Sequence, residues 1–180
     1  MAATTSGTEV VDVLRAALGG EVIGPEDAGF DLQRKTFNAM MDARPAAIAR
    51  CASRDDVVNA LAVGSGFPIA IRGAGTSDAS TVDGGIVIDL SALDAIEIDA
   101  ESRTARVGGG ATWGDLDAAT QEHGLAVTGA RLSALGVVGV ALGEGSGWLE
   151  RALGPTSSSV VGTEAVESDG LRVEIGRAHV

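Results

Sequence analysis

The sequence predicts a mixed α+β fold, and two observations carry that prediction. Residues 46–71 read as strand, helix and strand in succession, which is typical of a β-α-β unit with parallel strands. Residues 96–107 alternate apolar and charged side chains on both sides of a polar turn, which is typical of an antiparallel hairpin. A length of 180 residues with 45% hydrophobic residues is enough for one domain or two small lobes with a real core.

The chain begins with a predicted amphipathic helix. Apolar residues between positions 10 and 18 recur at helical spacing, Ser6 or Thr8 can cap the start, and Gly19-Gly20 ends the run. A mixed segment over residues 25–40 follows, and its pattern favours no particular structure.

The predicted β-α-β unit begins after Arg44-Pro45. Residues 46–50 form its first strand, and Ser53 with Asp56 is a helix-start pattern. The second strand covers residues 68–71.

The second half of the chain continues with a strand at residues 86–90 and then the hairpin. Thr112 with Asp115 predicts the start of a short helix that ends at His123-Gly124. His123 is therefore expected in solvent, without a catalytic role. Residues 160–166 and 171–174 predict a last hairpin around Ser168-Asp169-Gly170.

A glycine-rich loop follows the strand at 68–71. Ile69 and Ile71 flank Ala70 in an apolar run that suits a buried strand, and no large side chain lies between Arg72 and residue 82. Glycines at 73 and 75 allow positive φ, so that successive N–H groups can converge on an anion. The pattern favours a diphosphate bound by main-chain amides, and a plain glycine-rich turn is the alternative.

A second glycine-rich segment covers residues 129–148, with five glycines between 136 and 147. Glycine is costly in conformational entropy and is tolerated where a backbone passes close to another surface. That surface is either a flat ligand or a sheet on which a helix packs. The sequence leaves both interpretations open.

The net charge of −12 and the pI near 4.4 argue against nucleic acid and anionic membranes as partners. Lys35 is the only lysine, so a bound phosphate has to be held by local main-chain groups. The sole cysteine, Cys51, excludes an internal disulfide and a cysteine-based zinc site, and it is expected in the core. No secretory signal or membrane-length apolar run is seen, which predicts a cytoplasmic location.

Common nucleotide and hydrolase motifs are missing from the sequence. It contains no G-x-G-x-x-G, no G-x-x-x-x-G-K-[ST], no G-x-S-x-G and no H-E-x-x-H. A Rossmann dinucleotide site, a P-loop and the usual hydrolase centres are therefore excluded.

Five segments in chain order resemble a known flavoprotein family. They are Arg44-Pro45-Ala46, Ile71-Arg72-Gly73-Ala74-Gly75-Thr76-Ser77, residues 87–91, residues 108–116 and residues 136–149. Together the chain resembles the FAD-binding PCMH-type domain of the vanillyl-alcohol oxidase and p-cresol methylhydroxylase superfamily, in its berberine-bridge-like (6-hydroxynicotine-oxidase-like) branch. The resemblance runs from residue 44 to residue 170.

The resemblance implies a pair of α/β subdomains with FAD between them. It also implies oxidation of a small organic substrate by hydride transfer to the flavin, with electrons passing to oxygen or another acceptor. The cofactor would carry the chemistry and this domain would supply binding and electrostatics. The implied cofactor-binding residues are Arg72, Gly73, Ala74, Gly75, Thr76, Ser77, Gly136, Gly139, Gly143, Gly145 and Val166.

Five residues depart from the family pattern. Thr76 stands where many relatives attach FAD through a histidine, and Leu132 stands where some add a cysteine link, so non-covalent FAD is expected. Glu144 replaces a glycine beside the cofactor, and Ser158-Ser159 replaces a frequent Asp-Asn.

The family continues well beyond residue 170, and this comparison sets the expected domain boundaries. Residues 1–43 are a helical lead-in, residues 44–174 are an FAD-binding domain whose second subdomain is truncated, and residues 175–180 resemble a translated sequencing adapter rather than native sequence. Catalysis by the shortened chain is accordingly doubtful.

Two other functions stay open. One is a non-catalytic domain that binds a nucleotide weakly or packs against a partner. The other is an NADPH-using flavin reductase of the cell-wall precursor type, although residues 112–115 and 136–147 fit the oxidase branch better.

Overall fold

A computed structural model of the chain describes residues 7–143 and 145–176. They form two compact units, one containing the chain up to Ala92 with Val166–Arg172, and one containing Leu93–Ala165 with the chain from Val173 onward. The predicted α+β class with two subdomains is confirmed.

The first unit is built on a four-stranded sheet in the order β1-β2-β4-β3. Its strands are β1 (Glu21–Ile23), β2 (Ala47–Arg50), β3 (Ile69–Arg72) and β4 (Ile86–Asp89). β2 and β3 both run parallel to β4, whereas β1 is antiparallel to β2. Every residue of β4 is buried, as expected for a central strand.

β3 differs from its prediction as a buried strand. It lies at the edge of the sheet, where Ile69 and Ile71 are 37% and 51% exposed while Ala70 and Arg72 are buried. The reason is the two-residue period of a strand, which places alternate side chains on opposite faces. Only one face of this edge strand packs on the core.

Three helices accompany the sheet: α1 (Gly7–Ala17), α2 (Phe30–Gln33) and α3 (Arg54–Val63). α1 already includes Thr8, so only Ser6 of the two predicted caps precedes it, and Ser6 lies outside the described residues. Ser53 caps α3 as predicted, because its side chain accepts the N–H of Asp56 at 3.1 Å.

The N-terminal lead-in also contains β1, which the sequence analysis did not foresee. β1 extends the sheet through its pairing with β2, and Phe30 of α2 joins the core formed by Ile23, Ile48 and Val87. The lead-in is therefore packed with the first sheet and is only partly helical.

The second unit begins with the predicted hairpin, β5 (Ile96–Asp99) and β6 (Thr104–Val107). Helix α4 (Trp113–Gln121) follows at the predicted helix start, where Thr112 and Asp115 form a capping box. Trp113 is the largest fully buried side chain. His123 is exposed two residues beyond α4, as expected.

The remaining elements are α5 (Val137–Leu142), α6 (Glu150–Leu153), β7 (Gly162–Val166) and β8 (Arg172–Gly176). β7 and β8 form the predicted last hairpin. β8 includes residues 175 and 176 of the predicted non-native tail, and residues 177–180 lie outside the described residues. None of the helices that can be described has the length and apolar composition to cross a membrane.

Candidate functional site

The glycine-rich loop at residues 73–77 lies at the carboxyl end of β3 in the first unit. In open sheets with parallel strands, ligands bind beyond the carboxyl ends of the strands. The loop is half-exposed and leads into a single 3₁₀ turn at Asp78–Ser80. Its position is that expected of a binding loop.

The main-chain amides of this loop are free. Within the described residues, none of the N–H groups of residues 73–77 donates a hydrogen bond. Gly75 has φ +70°, whereas Gly73 is not among the positive-φ glycines, so only one of the two expected left-handed positions is found. The carbonyl oxygen of Gly75 accepts the N–H of Phe37 at 3.1 Å. The loop is thus held through a carbonyl while its donors remain available to an anion.

Arg72 holds the loop from the inside. Its Nε donates to the carbonyl oxygen of Ser80 at 3.2 Å, and its Nη1 donates to the carbonyl oxygen of Gln33 at 2.7 Å. Burial lowers the pKa of Arg72, the Asp89 carboxylate raises it and the Arg50 guanidinium lowers it, for a net decrease. With its guanidinium bound to protein carbonyls, Arg72 holds the loop from the protein side.

The hydroxyls of the loop have different roles. Ser77 Oγ accepts the N–H of Ala79 at 3.2 Å and caps the 3₁₀ turn. Thr76 is half-exposed and makes no hydrogen bond to the described residues. Asp78 brings a carboxylate next to the loop, and its Oδ1 accepts from Asn38 at 3.1 Å.

The predicted cofactor-binding glycines of the second unit lie around α5. Gly136 is the N-cap residue of α5 and forms an isolated bridge with Thr112. An added Cβ at Gly145 would collide with the side chain of Val140, and one at Gly143 would lie 2.8 Å from the carbonyl oxygen of Gly139. Packing alone accounts for these two glycines.

Gly139 is different, because an added Cβ there would meet nothing within 4 Å. The residue is exposed and lies inside α5, where alanine would be the better helix former. Nothing in the described part of the protein requires a glycine at this position. Open space beside a bare helix backbone suits a flat ligand.

The second unit also contains an open cavity of about 560 Å³ that the sequence analysis missed. Trp148 is 79% exposed, and the Arg131 guanidinium lies 5.2 Å from the centre of its ring, within cation–π range. The sequence signal that could have drawn attention to it is a tryptophan in a chain with only 3% aromatic residues. The lining residues are Arg131, Gly147, Trp148, Glu150, Arg151 and Pro155.

The other predicted positions that the structure describes lie outside the loop at residues 73–77 and outside α5. Val166 is the half-buried last residue of β7, and Leu132 is 63% exposed. Ser158 and Ser159 lie in a 3₁₀ turn at Thr156–Ser159, and Glu144 is outside the described residues. The described residues hold no group of three or more histidine, cysteine, aspartate or glutamate side chains suited to a metal ion.

Comparison with known proteins shows the family. A family model described as an FAD binding domain matches residues 45–176. (R)-6-hydroxynicotine oxidase of Paenarthrobacter nicotinovorans is 36% identical over 158 residues, which cover 86% of this chain and 34% of that protein. The FAD-linked oxidoreductase YgaK of Bacillus subtilis is 30% identical over 86% of this chain and 35% of its own length.

Solved structures show the same fold. The crystal structure of 6-hydroxy-D-nicotine oxidase from Arthrobacter nicotinovorans matches with a TM-score of 0.86 and 34% identity, over 88% of this chain and 36% of that one. BBE-like 1 of Physcomitrella patens matches with a TM-score of 0.88 and 25% identity, over 93% of this chain and 37% of that one. The chain thus spans about a third of the length of these relatives. It belongs to the family of FAD binding domains of FAD-linked oxidoreductases.

Proposed function

We propose that this chain is the FAD-binding part of an FAD-dependent oxidoreductase that oxidises a small organic substrate. The observation that carries the proposal is the row of free main-chain N–H groups at residues 73–77. A diphosphate needs several donors converging on one place, and a chain with a net charge of −12 cannot attract it by long-range charge. Main-chain donors supply local attraction without added lysines.

The residues fit the cofactor in both units taken separately. The loop at 73–77 would bind the diphosphate, with Arg72 keeping the loop in place from behind. The bare backbone at Gly139 would lie against a flat part of the cofactor. When bound, FAD supplies a two-electron acceptor for hydride, and the residues described above bind and orient it.

The attachment of FAD is proposed to be non-covalent. Glucooligosaccharide oxidase from Acremonium strictum, 28% identical, is described with a 6-S-cysteinyl, 8α-N1-histidyl FAD. The family resemblance would put Thr76 and Leu132 at the positions of two such linking residues, and neither side chain supplies an imidazole or a thiol. Cys51 cannot replace them, because it is fully buried.

Two other functions remain as competing proposals. A non-catalytic module would bind the nucleotide without supporting redox chemistry in any longer protein. A reductase of the cell-wall precursor type would accept electrons from NADPH. In the longer protein, reduction of bound flavin by NADPH would favour the reductase, and reduction by an organic substrate would favour the oxidase.

The test is an absorption spectrum of the purified chain. The chain is saturated with FAD, desalted, scanned over about 300–550 nm for the flavin bands, and then precipitated with acid. We expect flavin bands that stay with the protein on desalting and appear in the supernatant after acid treatment. A coloured pellet would overturn non-covalent attachment, and no retained flavin at any protein concentration would overturn FAD binding by this chain.

A further inference from the structure

Three charged residues lie in one row across the parallel strands of the first unit. The strand register places Arg50 of β2 opposite Asp89 of β4, and Asp89 opposite Arg72 of β3. Asp89 is 2% exposed and Arg72 is 6% exposed. Asp89 Oδ2 lies 3.8 Å from Arg50 Nε and 3.9 Å from Arg72 Nη1. One carboxylate is therefore buried between two guanidinium groups.

The two arginines hold the segments next to the glycine-rich loop. Arg50 Nη2 donates to the side-chain oxygen of Gln33 at 2.8 Å, and Arg72 Nη1 donates to the carbonyl oxygen of the same residue at 2.7 Å. Arg72 Nε also binds the carbonyl oxygen of Ser80, which closes the loop eight residues beyond Arg72 itself. The inward position of Arg72 thus fixes the far end of the loop.

We propose that Asp89 is a positioning residue for the diphosphate, acting through Arg72 on the loop at residues 73–77. This inference rests on the proposed function. A buried guanidinium is costly without a counter-charge, and Arg72 Nη2 has no hydrogen-bond partner in the described residues. Without the Asp89 charge, Arg50 would repel Arg72 with nothing between them. Arg72 would turn outward and release Ser80, and the loop at residues 73–77 would no longer be held at its far end.

The experiment compares Asp89→Asn with a matched control, Asp56→Asn. Asp56 is a second buried aspartate of the same unit, 4% exposed, but its carboxylate accepts main-chain N–H groups of Gly19 and Ala52, both at 2.9 Å. Both substitutions remove one buried negative charge, and only Asp89→Asn changes the row formed by Arg50, Asp89 and Arg72. Nuclear magnetic resonance of the ligand-free chain follows the Nε–H signal of Arg72 and the amide signals of residues 73–77.

In the wild type and in Asp56→Asn we expect a slowly exchanging Arg72 Nε–H and a single set of loop amide signals. In Asp89→Asn we expect the Nε–H to exchange rapidly and the loop amides to broaden or split. Titration with FAD and with ADP should show affinity falling about tenfold or more in Asp89→Asn and by less than about twofold in Asp56→Asn.

An unchanged loop in Asp89→Asn would overturn the inference, as would equal losses in both variants. If the loop changes as expected but the wild type binds neither FAD nor ADP, the proposed function fails, and with it the role of Asp89 toward a diphosphate. The order that Asp89 imposes on the loop through Arg72 is then established separately.

A second variant keeps the test valid if Asp89→Asn does not fold. Arg72→Lys keeps a buried positive charge beside Asp89 but loses the planar guanidinium group that donates hydrogen bonds to the carbonyl oxygens of Gln33 and Ser80 together. We expect it to fold with a disordered loop and the same loss of FAD affinity. An ordered loop with wild-type affinity in this variant would overturn the inference.

Discussion

Replacing Gly75 with alanine tests whether the loop's backbone conformation is what binds the diphosphate. Gly75 has φ +70°, and an added Cβ would lie 3.8 Å from Arg72 Cδ, an ordinary contact. The cost is thus one of backbone conformation, about 1–2 kcal/mol for an L-residue in the left-handed region. The N–H groups of residues 73–77 donate no hydrogen bond to the described residues, and the Gly75 carbonyl accepts only one, from Phe37. We therefore expect the free variant to relax to negative φ, and the strain energy must then be supplied when FAD binds. The dissociation constant for FAD should rise about 5- to 30-fold.

Gly84 offers a matched control. It has φ +63°, and an added Cβ there would meet nothing within 4 Å. Gly84→Ala should lower the melting temperature by about 2–4 °C for each kcal/mol of strain and leave FAD affinity unchanged. Affinity is measured by flavin fluorescence titration and stability by thermal unfolding. Wild-type affinity in Gly75→Ala, or an equal loss in Gly84→Ala, would refute the reasoning.

Three further predictions concern single positions. Gly139→Ala should raise the free energy of unfolding of the FAD-free chain by up to about 1 kcal/mol and weaken FAD binding. Thermal unfolding with and without FAD measures both effects. Unchanged FAD affinity would show that Gly139 does not contact the cofactor. Burial raises the pKa of Asp56, but the main-chain N–H groups at Gly19 and Ala52 help to bring it below its usual value. Asp56 therefore stabilises the fold above about pH 4 and loses this effect as the pH falls through its folded-state pKa. In urea titrations at several pH values, the free energy of unfolding should fall less at acid pH in Asp56→Asn than in the wild type. An equal fall in both proteins would contradict the prediction. Burial, with smaller effects of nearby carboxylates, raises the pKa of Cys51 to about 12, so at pH 8 thiol reagents should modify it only upon unfolding; labelling of the native chain at the rate of a free thiol would disprove this.

The features that could be predicted from the sequence are those encoded by neighbouring residues. The capping box of Thr112 and Asp115 is confirmed because both partners lie within one helical turn. The loop after β3 was found at its expected place because small residues follow an apolar run. β1 was missed because a three-residue strand has too few residues to show a period, and its existence depends on pairing with β2.

The row of three charged residues across the first sheet could not be predicted from the sequence. Arg50, Asp89 and Arg72 are far apart in the chain, and only the register of three strands brings them into line. From the sequence, Arg72 was expected to bind the cofactor as part of the loop. The structure shows its side chain buried and bonded to Gln33 and Ser80, a role that depends on segments whose positions no local pattern specifies.

The glycines around α5 show why a glycine-rich segment cannot by itself identify a ligand site. The sequence left two explanations open, close packing and a flat ligand. Close packing accounts for some of these residues, because an added Cβ at Gly145 would collide with Val140 and one at Gly147 with the backbone of Gly129. Gly139 borders open space inside a helix, where a side chain would fit and would favour the fold. Gly139 is therefore the glycine of this segment whose conformational cost close packing within the described residues does not explain, and the proposal that it borders the cofactor depends on this difference rather than on the number of glycines around it.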